Sequence, residues 1–145
     1  MLALTACKAR EPEFFLLPAL TEERRQSDNS AQGFSLTKKE TYVIANAPRD
    51  RAELKRAVDA FNRRTLSEAE LASYRQRSRI FYRESRATPR HYRGNDQDWG
   101  GDAIDDHWED LLLMVVWRGS HASAYYSFYE RGETVEILDP NATKK

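Results

Sequence analysis

The chain has little of what stabilises small secreted proteins or crosses membranes. Among its 145 residues Cys7 is the only cysteine, which excludes an internal disulfide. No apolar run approaches the ~18 residues of a membrane-spanning helix, since the longest extends from Leu111 to Trp117. The 23 lysines and arginines are balanced by 23 aspartates and glutamates, so no overall field attracts DNA or an anionic bilayer. The length is that of one domain with a real core.

The sequence also lacks the short motifs that identify common enzyme classes. It contains no HExxH, CxxC, GxSxG, GxGxxG or Walker loop. Residues 95–102 loosely resemble a Ca²⁺ loop, but the twelfth position counted from Asp96 is His107 rather than glutamate, so we expect no metal and no cofactor. If the chain is an enzyme, the best candidate is a small hydrolase that uses His107 with the neighbouring carboxylates Asp105, Asp106 and Glu109.

What the sequence does have is an uneven distribution of charge. Seven arginines and one acid lie between Arg75 and Arg93, whereas seven acids and no lysine or arginine lie between Asp96 and Asp110. These blocks either pair with each other across the fold or form a bipolar surface that docks a partner of reverse pattern. For the second alternative, the expected partner-binding residues are Arg79, Arg83, Arg86, Tyr125 and Tyr129.

Arginines and aromatic residues alternate over residues 79–83, a pattern that can bind nucleic acid by stacking and phosphate contact. The neutral total charge argues against that use, and we expect no nucleic-acid partner.

Hydrophobic periodicity predicts the main elements. Residues 41–45 have the β-branched and aromatic content of a strand, and Leu54, Ala57, Val58 and Phe61 share one face of a helix that begins after Asp50. The further predictions are a short helix at 20–25, a second short helix after Ser67 with Leu71 and Tyr74 inward, a strand from Arg79, a loop at 90–104, and strands at 111–117, 123–129 and 134–138, the last two joined by a tight turn at Arg131-Gly132.

This order of elements predicts an α+β fold. Two helices pack on one face of an antiparallel sheet, and the sheet ends in a three-strand meander. A cystatin-like or NTF2-like topology is compatible with the order. The comparison is architectural and carries no function.

The segment Leu4-Thr5-Ala6-Cys7 resembles the lipobox of bacterial lipoproteins, in which a leucine and two small residues precede a cysteine. The resemblance covers residues 1–7 alone. It implies cleavage before Cys7, attachment of lipid and palmitate there, and a place on the periplasmic face of the cell envelope. Lys8, rather than an aspartate, after the cysteine favours the outer membrane. The expected organisation is a truncated signal segment at 1–6, the lipidated cysteine and a tether at 7–13, and one domain at 14–145.

We therefore favour a lipid-anchored periplasmic module that binds a partner protein, of the immunity or envelope-accessory type. The membrane contact would be the lipid on Cys7. Two alternatives stay open: the small hydrolase built on His107, and a cytosolic domain that binds a small ligand. An apolar cavity between helix and sheet would favour the last of these.

Overall fold

The computed structural model describes residues 10–90, 108–119 and 124–140. Within these ranges the fold is α+β, with an open and mostly antiparallel sheet of seven strands and two helices. Two single 3₁₀ turns lie at Pro18–Leu20 and Trp108–Asp110. In chain order the elements are β1 (Glu13–Leu16), β2 (Glu22–Ser27), β3 (Phe34–Ala45), α1 (Arg51–Thr65), α2 (Glu68–Ala72), β4 (Gln76–Arg83), β5 (Leu111–Arg118), β6 (Ala124–Glu130) and β7 (Glu133–Leu138).

The sheet has the order β1-β3-β4-β5-β6-β7, and β2 pairs with β3 beside β1. The prediction of an antiparallel sheet is wrong at one position, because β3 and β4 run parallel. The two helices carry the chain back to its starting end before β4 begins, which is the crossover that a parallel pair requires. The remaining strand pairs are antiparallel, and β5, β6 and β7 form the predicted meander.

The predicted short helix at residues 20–25 is also wrong, because Leu20 ends a 3₁₀ turn and residues 22–25 belong to the strand β2. All six residues of β2 are exposed, so no apolar face was available to hold a helix on the core. The register with β3 places Glu22 opposite Lys39 and Glu23 opposite Lys38. Opposite charges directly across a strand pair stabilise the pairing, and here they do so at the edge of the sheet.

The turn between β6 and β7 is the predicted tight hairpin. Arg131 and Gly132 have φ angles of 52° and 80°, the left-handed pair that a two-residue turn of this kind requires. Gly132 also lies against a ring, because a β-carbon built there would be 2.8 Å from Cε3 of Trp108. The hairpin therefore depends on glycine for its backbone and for its packing.

Helix α1 is held on the sheet by one apolar stripe. Its Asp50 cap accepts a hydrogen bond of 3.0 Å from the backbone N–H of Glu53, as the sequence predicted. Neighbouring residues of β3 belong to two different apolar clusters. Tyr42 belongs to the cluster that packs against α1, and Val43 belongs to a smaller cluster with Leu17, Tyr82 and Leu111. Because side chains alternate along a strand, the two clusters lie on opposite faces of the sheet. The α1 cluster comprises Tyr42, Ile44, Leu54, Val58, Phe61, Phe81, Leu113, Val115, Trp117 and Phe128.

Helix α2 contributes less to the core than predicted. It contains no buried residue, and Leu71 is only partly buried against the α1 cluster. The hydroxyl of Tyr74, expected to lie inward, donates a hydrogen bond of 2.7 Å to Glu23 of β2. The inward prediction for Tyr74 is therefore wrong, because a charged edge strand supplies its partner.

Candidate functional site

A buried ionic network lies between the sheet and the helices. The parallel register places Glu40 of β3 opposite Arg79 of β4, and alternation along β4 brings Arg77 to the same face. One carboxylate oxygen of Glu40 lies 2.6 Å from Nη2 of Arg77 and 3.1 Å from Nε of Arg79. Its other oxygen accepts a hydrogen bond of 3.0 Å from the hydroxyl of Tyr42. The three charged residues are at most 6 % exposed, so water screens their interaction poorly.

The network also ties both helices to the sheet. Nη1 of Arg79 donates to Oδ1 of Asn62 at 2.9 Å and to the hydroxyl of Thr65 at 2.6 Å, both on α1. Nη1 of Arg77 donates to Glu70 of α2 at 3.2 Å. Burial alone would raise the pKa of Glu40, but the two guanidinium groups outweigh it and hold that pKa below its ordinary value. The carboxylate is thus charged, as both arginines require.

A cleft of about 360 Å³ opens beside this network, between α1, the start of α2 and strands β5 and β6. Asn62 belongs to both, since its Oδ1 accepts from Arg79 and the residue also lines the cleft. Asp59 accepts hydrogen bonds from Tyr126 at 2.5 Å and from Lys55 at 2.8 Å. Burial, followed by the bond to Asp59, raises the pKa of Tyr126. The lining residues are Asp59, Asn62, Arg63, Leu66, Glu68, Leu71, Trp117, Ala124 and Tyr126.

The arginines predicted to bind a partner lie in three different environments. Arg79 is 2 % exposed and takes part in the ionic network. The prediction that it contacts a partner is therefore wrong, because its guanidinium group is buried and paired inside the domain. Arg83 is partly buried and donates to the backbone carbonyls of Ala47 at 2.9 Å and Pro48 at 3.4 Å. Burial lowers the pKa of Arg83. Arg86 is exposed.

The predicted tyrosines lie on the other face of the sheet. Tyr129 packs beside the cluster of Tyr82 and Leu111, and Tyr125 is the neighbour of Tyr126, which faces α1. Both are partly buried. The structure therefore does not join Arg79 and Arg83 to these tyrosines in one surface patch.

Most residues of the proposed hydrolase site and the whole lipobox lie outside the described ranges. Cys7, Asp105, Asp106 and His107 are among them. Glu109 lies in the 3₁₀ turn before β5, where Asp110 accepts hydrogen bonds from the hydroxyls of Ser85 at 2.5 Å and Thr88 at 2.7 Å. Within residues 10–90, 108–119 and 124–140, no three metal-ligating side chains cluster.

Three described arginines of the basic block pair with acids that lie outside the acidic block. Arg77 and Arg79 use Glu40 and Glu70, and Arg90 donates two hydrogen bonds to Glu84, one of them 2.9 Å long. Glu109 and Asp110, the described members of the acidic block, form no ion pair of 4.0 Å or less with the described arginines.

The exposed large apolar residues lie on the two outer strands of the sheet, β1 and β7. In the part of the chain that the structure describes, the large apolar residues left exposed are Leu16, Val135 and Ile137, at 41 %, 40 % and 51 %. Val135 and Ile137 are both on β7, which is the last strand of the sheet that the described residues form. The opposite edge is formed by β1, which carries Leu16, and by β2, whose six exposed residues are Glu, Glu, Arg, Arg, Gln and Ser. Strand β2 is thus protected by charge, as natural sheet edges commonly are, whereas β7 carries two exposed aliphatic side chains.

Sequence reasoning missed Asn62 and Glu40, although each leaves a signal. Asn62 stands four residues after Val58, so it is a polar residue on the predicted apolar stripe of α1. Glu40 alternates with Tyr42 and Ile44 and therefore shares their core-facing side of β3. A polar residue in a core position indicates a buried partner.

Neither helix in the described ranges has the length and apolar content needed to cross a membrane. The sequence matches no protein-family model, and neither a curated protein nor a solved structure is significantly similar to it. Arguments about function therefore rest on the residues and geometry given above.

Proposed function

We propose that the chain is a lipid-anchored domain on the periplasmic face of the bacterial envelope that binds a partner protein through strand β7. The observation that carries the proposal is the edge of β7, which no other strand of the described residues covers and which exposes Val135 and Ile137 two positions apart. An extended segment of a partner can add to such an edge through main-chain hydrogen bonds, while its alternate side chains contact the two aliphatic residues.

The contrast between the outer strands β2 and β7 supports this choice. An exposed apolar edge promotes unwanted pairing, and natural proteins place charges there to prevent it. Strand β2 has four charged residues and follows that rule. Strand β7 keeps two aliphatic residues in the corresponding exposed position, which is expected of an edge that is covered when the protein works.

The lipobox resemblance at Leu4–Cys7 supports the anchor and the location. Acyl chains on Cys7 would partition the domain to the membrane, since each buried methylene contributes about 0.8 kcal/mol. Expression in bacteria with radiolabelled palmitate tests this part. Labelling and membrane association should both disappear in Cys7→Ala, and a soluble wild-type protein with a free thiol would contradict the anchor.

The fold that we propose for the whole domain has both helices on one face of the sheet, in a cystatin-like or NTF2-like arrangement. The contacts of α1 with the core and the partial burial of Leu71 of α2 support it. In that arrangement the edge strand β7 is reached from the side, without displacement of either helix.

Site-specific photocrosslinking in cells tests the docking strand. A photoreactive residue at position 137 should give a discrete crosslinked product, and Val135→Lys in the same chain should remove it. The matched control is position 16, because Leu16 is similarly exposed but lies on β1, at the other side of the sheet. Equal crosslinking at positions 16 and 137, or a product unaffected by Val135→Lys, would contradict docking through β7.

A further inference from the structure

Independently of the docking strand, we propose that the cleft between α1, α2 and strands β5 and β6 binds a small zwitterion with an apolar side chain, namely an apolar α-amino acid. Among the described residues, the cleft offers a hydrogen-bond donor without a partner, two opposite charges without ion-pair partners, and an apolar wall. Each of these features matches one part of such a ligand.

The donor is the side-chain amide of Asn62. A guanidinium group can only donate, so the bond from Arg79 engages Oδ1 of Asn62 and leaves Nδ2 to find another partner. Nδ2 is buried and has no hydrogen-bond partner in the described residues, although Asn62 is 7 % exposed. A buried donor without a partner costs about 1–3 kcal/mol. A ligand in the cleft that carries an acceptor, such as a carboxylate, recovers that cost.

The two charges are Arg63 and Glu68. Both line the cleft and both are exposed. Neither lies within 4.0 Å of an oppositely charged group in the described residues, and they do not pair with each other. Asp59 is different, since Tyr126 and Lys55 already occupy its two oxygens. A zwitterion can pair its carboxylate with Arg63 and its ammonium with Glu68, which a ligand of one charge cannot do.

The apolar part of the cleft and its size limit the rest of the ligand. Leu66, Leu71 and Trp117 supply aliphatic and aromatic wall, and Trp117 is itself nearly buried. A volume of about 360 Å³ is close to the lower limit of the roughly 300–1,000 Å³ typical of small-molecule sites. This space suits a ligand of the size of one amino acid.

A heteronuclear NMR titration of the full chain with L-phenylalanine tests the proposal. We expect shifts of the Trp117 indole N–H and the Asn62 side-chain amide that saturate in the millimolar range. Phenylalaninamide and N-acetylphenylalanine each lack one charge and should bind about tenfold more weakly. Arg63→Gln and Glu68→Gln should weaken phenylalanine binding by a similar factor. The control is Arg56→Gln, a change at an exposed residue of α1 that does not line the cleft, and it should leave binding as it is.

Three results would overturn the proposal. One is the absence of saturable shifts at Trp117 and Asn62 with phenylalanine. Another is that the two blocked derivatives bind as tightly as phenylalanine, which would show that the charges of the ligand do not contribute to binding. The third is unchanged affinity in Arg63→Gln and Glu68→Gln. None of these measurements depends on β7. The proposal for the cleft can therefore be disproved while docking through β7 is supported, and docking can be disproved while binding in the cleft is supported.

Discussion

Arg77 and Glu40 form a salt bridge inside the domain, with Nη2 of the arginine 2.6 Å from the carboxylate and side chains that are 5 % and 8 % exposed. The same carboxylate also pairs with Arg79. Two buried guanidinium groups thus depend on one glutamate, with Glu70 as a second and half-exposed partner of Arg77. Burying a charge is costly unless it is paired and hydrogen-bonded, so Glu40 is the residue on which the network depends.

Replacing Glu40 by glutamine should lower the free energy of unfolding by about 3–5 kcal/mol, because it leaves two buried cations without their shared counter-charge. Urea denaturation followed by circular dichroism measures the change. The matched control is Glu22→Gln, which removes an exposed carboxylate 3.6 Å from Arg24 and should cost less than about 1 kcal/mol. Equal losses in the two variants would show that burial of the network does not matter.

The same network predicts a dependence of stability on pH. The pKa of Glu40 is held below its ordinary value of 4.5, so the folded state binds the proton less readily than the unfolded chain does. The stabilisation is therefore complete above pH 4.5 and is lost as the pH falls through the folded-state pKa. We expect the stability difference between wild type and Glu40→Gln to shrink in that acid window. A difference that stays constant from neutral pH into that window would contradict the assignment.

Gly132 is predicted to be more sensitive to substitution than another glycine with the same backbone conformation. Gly132 and Gly33 have φ angles of 80° and 84°, so alanine imposes a similar backbone cost of about 1–2 kcal/mol at each. At Gly33 a new β-carbon meets nothing within 4 Å, whereas at Gly132 it meets the ring of Trp108 at 2.8 Å. Gly132→Ala should thus lose more stability than Gly33→Ala in thermal unfolding. Similar losses would show that the contact with Trp108 relaxes freely.

Local sequence patterns predicted those elements whose stability comes from nearby residues. The cap at Asp50, the stripe of Leu54, Val58 and Phe61, and the turn at Arg131-Gly132 each depend on spacing within a few residues. The α+β class and the meander followed from their order. The parallel pairing of β3 and β4 did not, because alternation along a strand is the same for both directions.

The features that depend on distant contacts could not be predicted. Arg79 was expected on the surface because arginine usually is, and its burial depends on Glu40, 39 residues earlier in the chain. The segment at 22–27 has helix-forming residues, but pairing with Lys38 and Lys39 of β3 decides its conformation. The cleft likewise brings Arg63 of α1 beside Trp117 of β5 and Tyr126 of β6, which no local pattern indicates.

Loss of the α1 cap should lower the stability of the whole domain, whereas loss of the α2 cap should have a local effect. The carboxylate of Asp50 caps α1, which carries Leu54, Val58 and Phe61 into the core, whereas Ser67 caps α2, which has no buried residue. Asp50→Ala should therefore reduce global stability by about 1 kcal/mol, and Asp50→Asn, which keeps a capping oxygen, should retain most of it. Ser67→Ala should change the global free energy less and instead accelerate amide exchange locally at Glu70, whose N–H loses its partner. Chemical denaturation measures the global effect, and hydrogen exchange measures the local one. If Ser67→Ala lowered the global free energy of unfolding as much as Asp50→Ala, α2 would unfold together with the core rather than by itself.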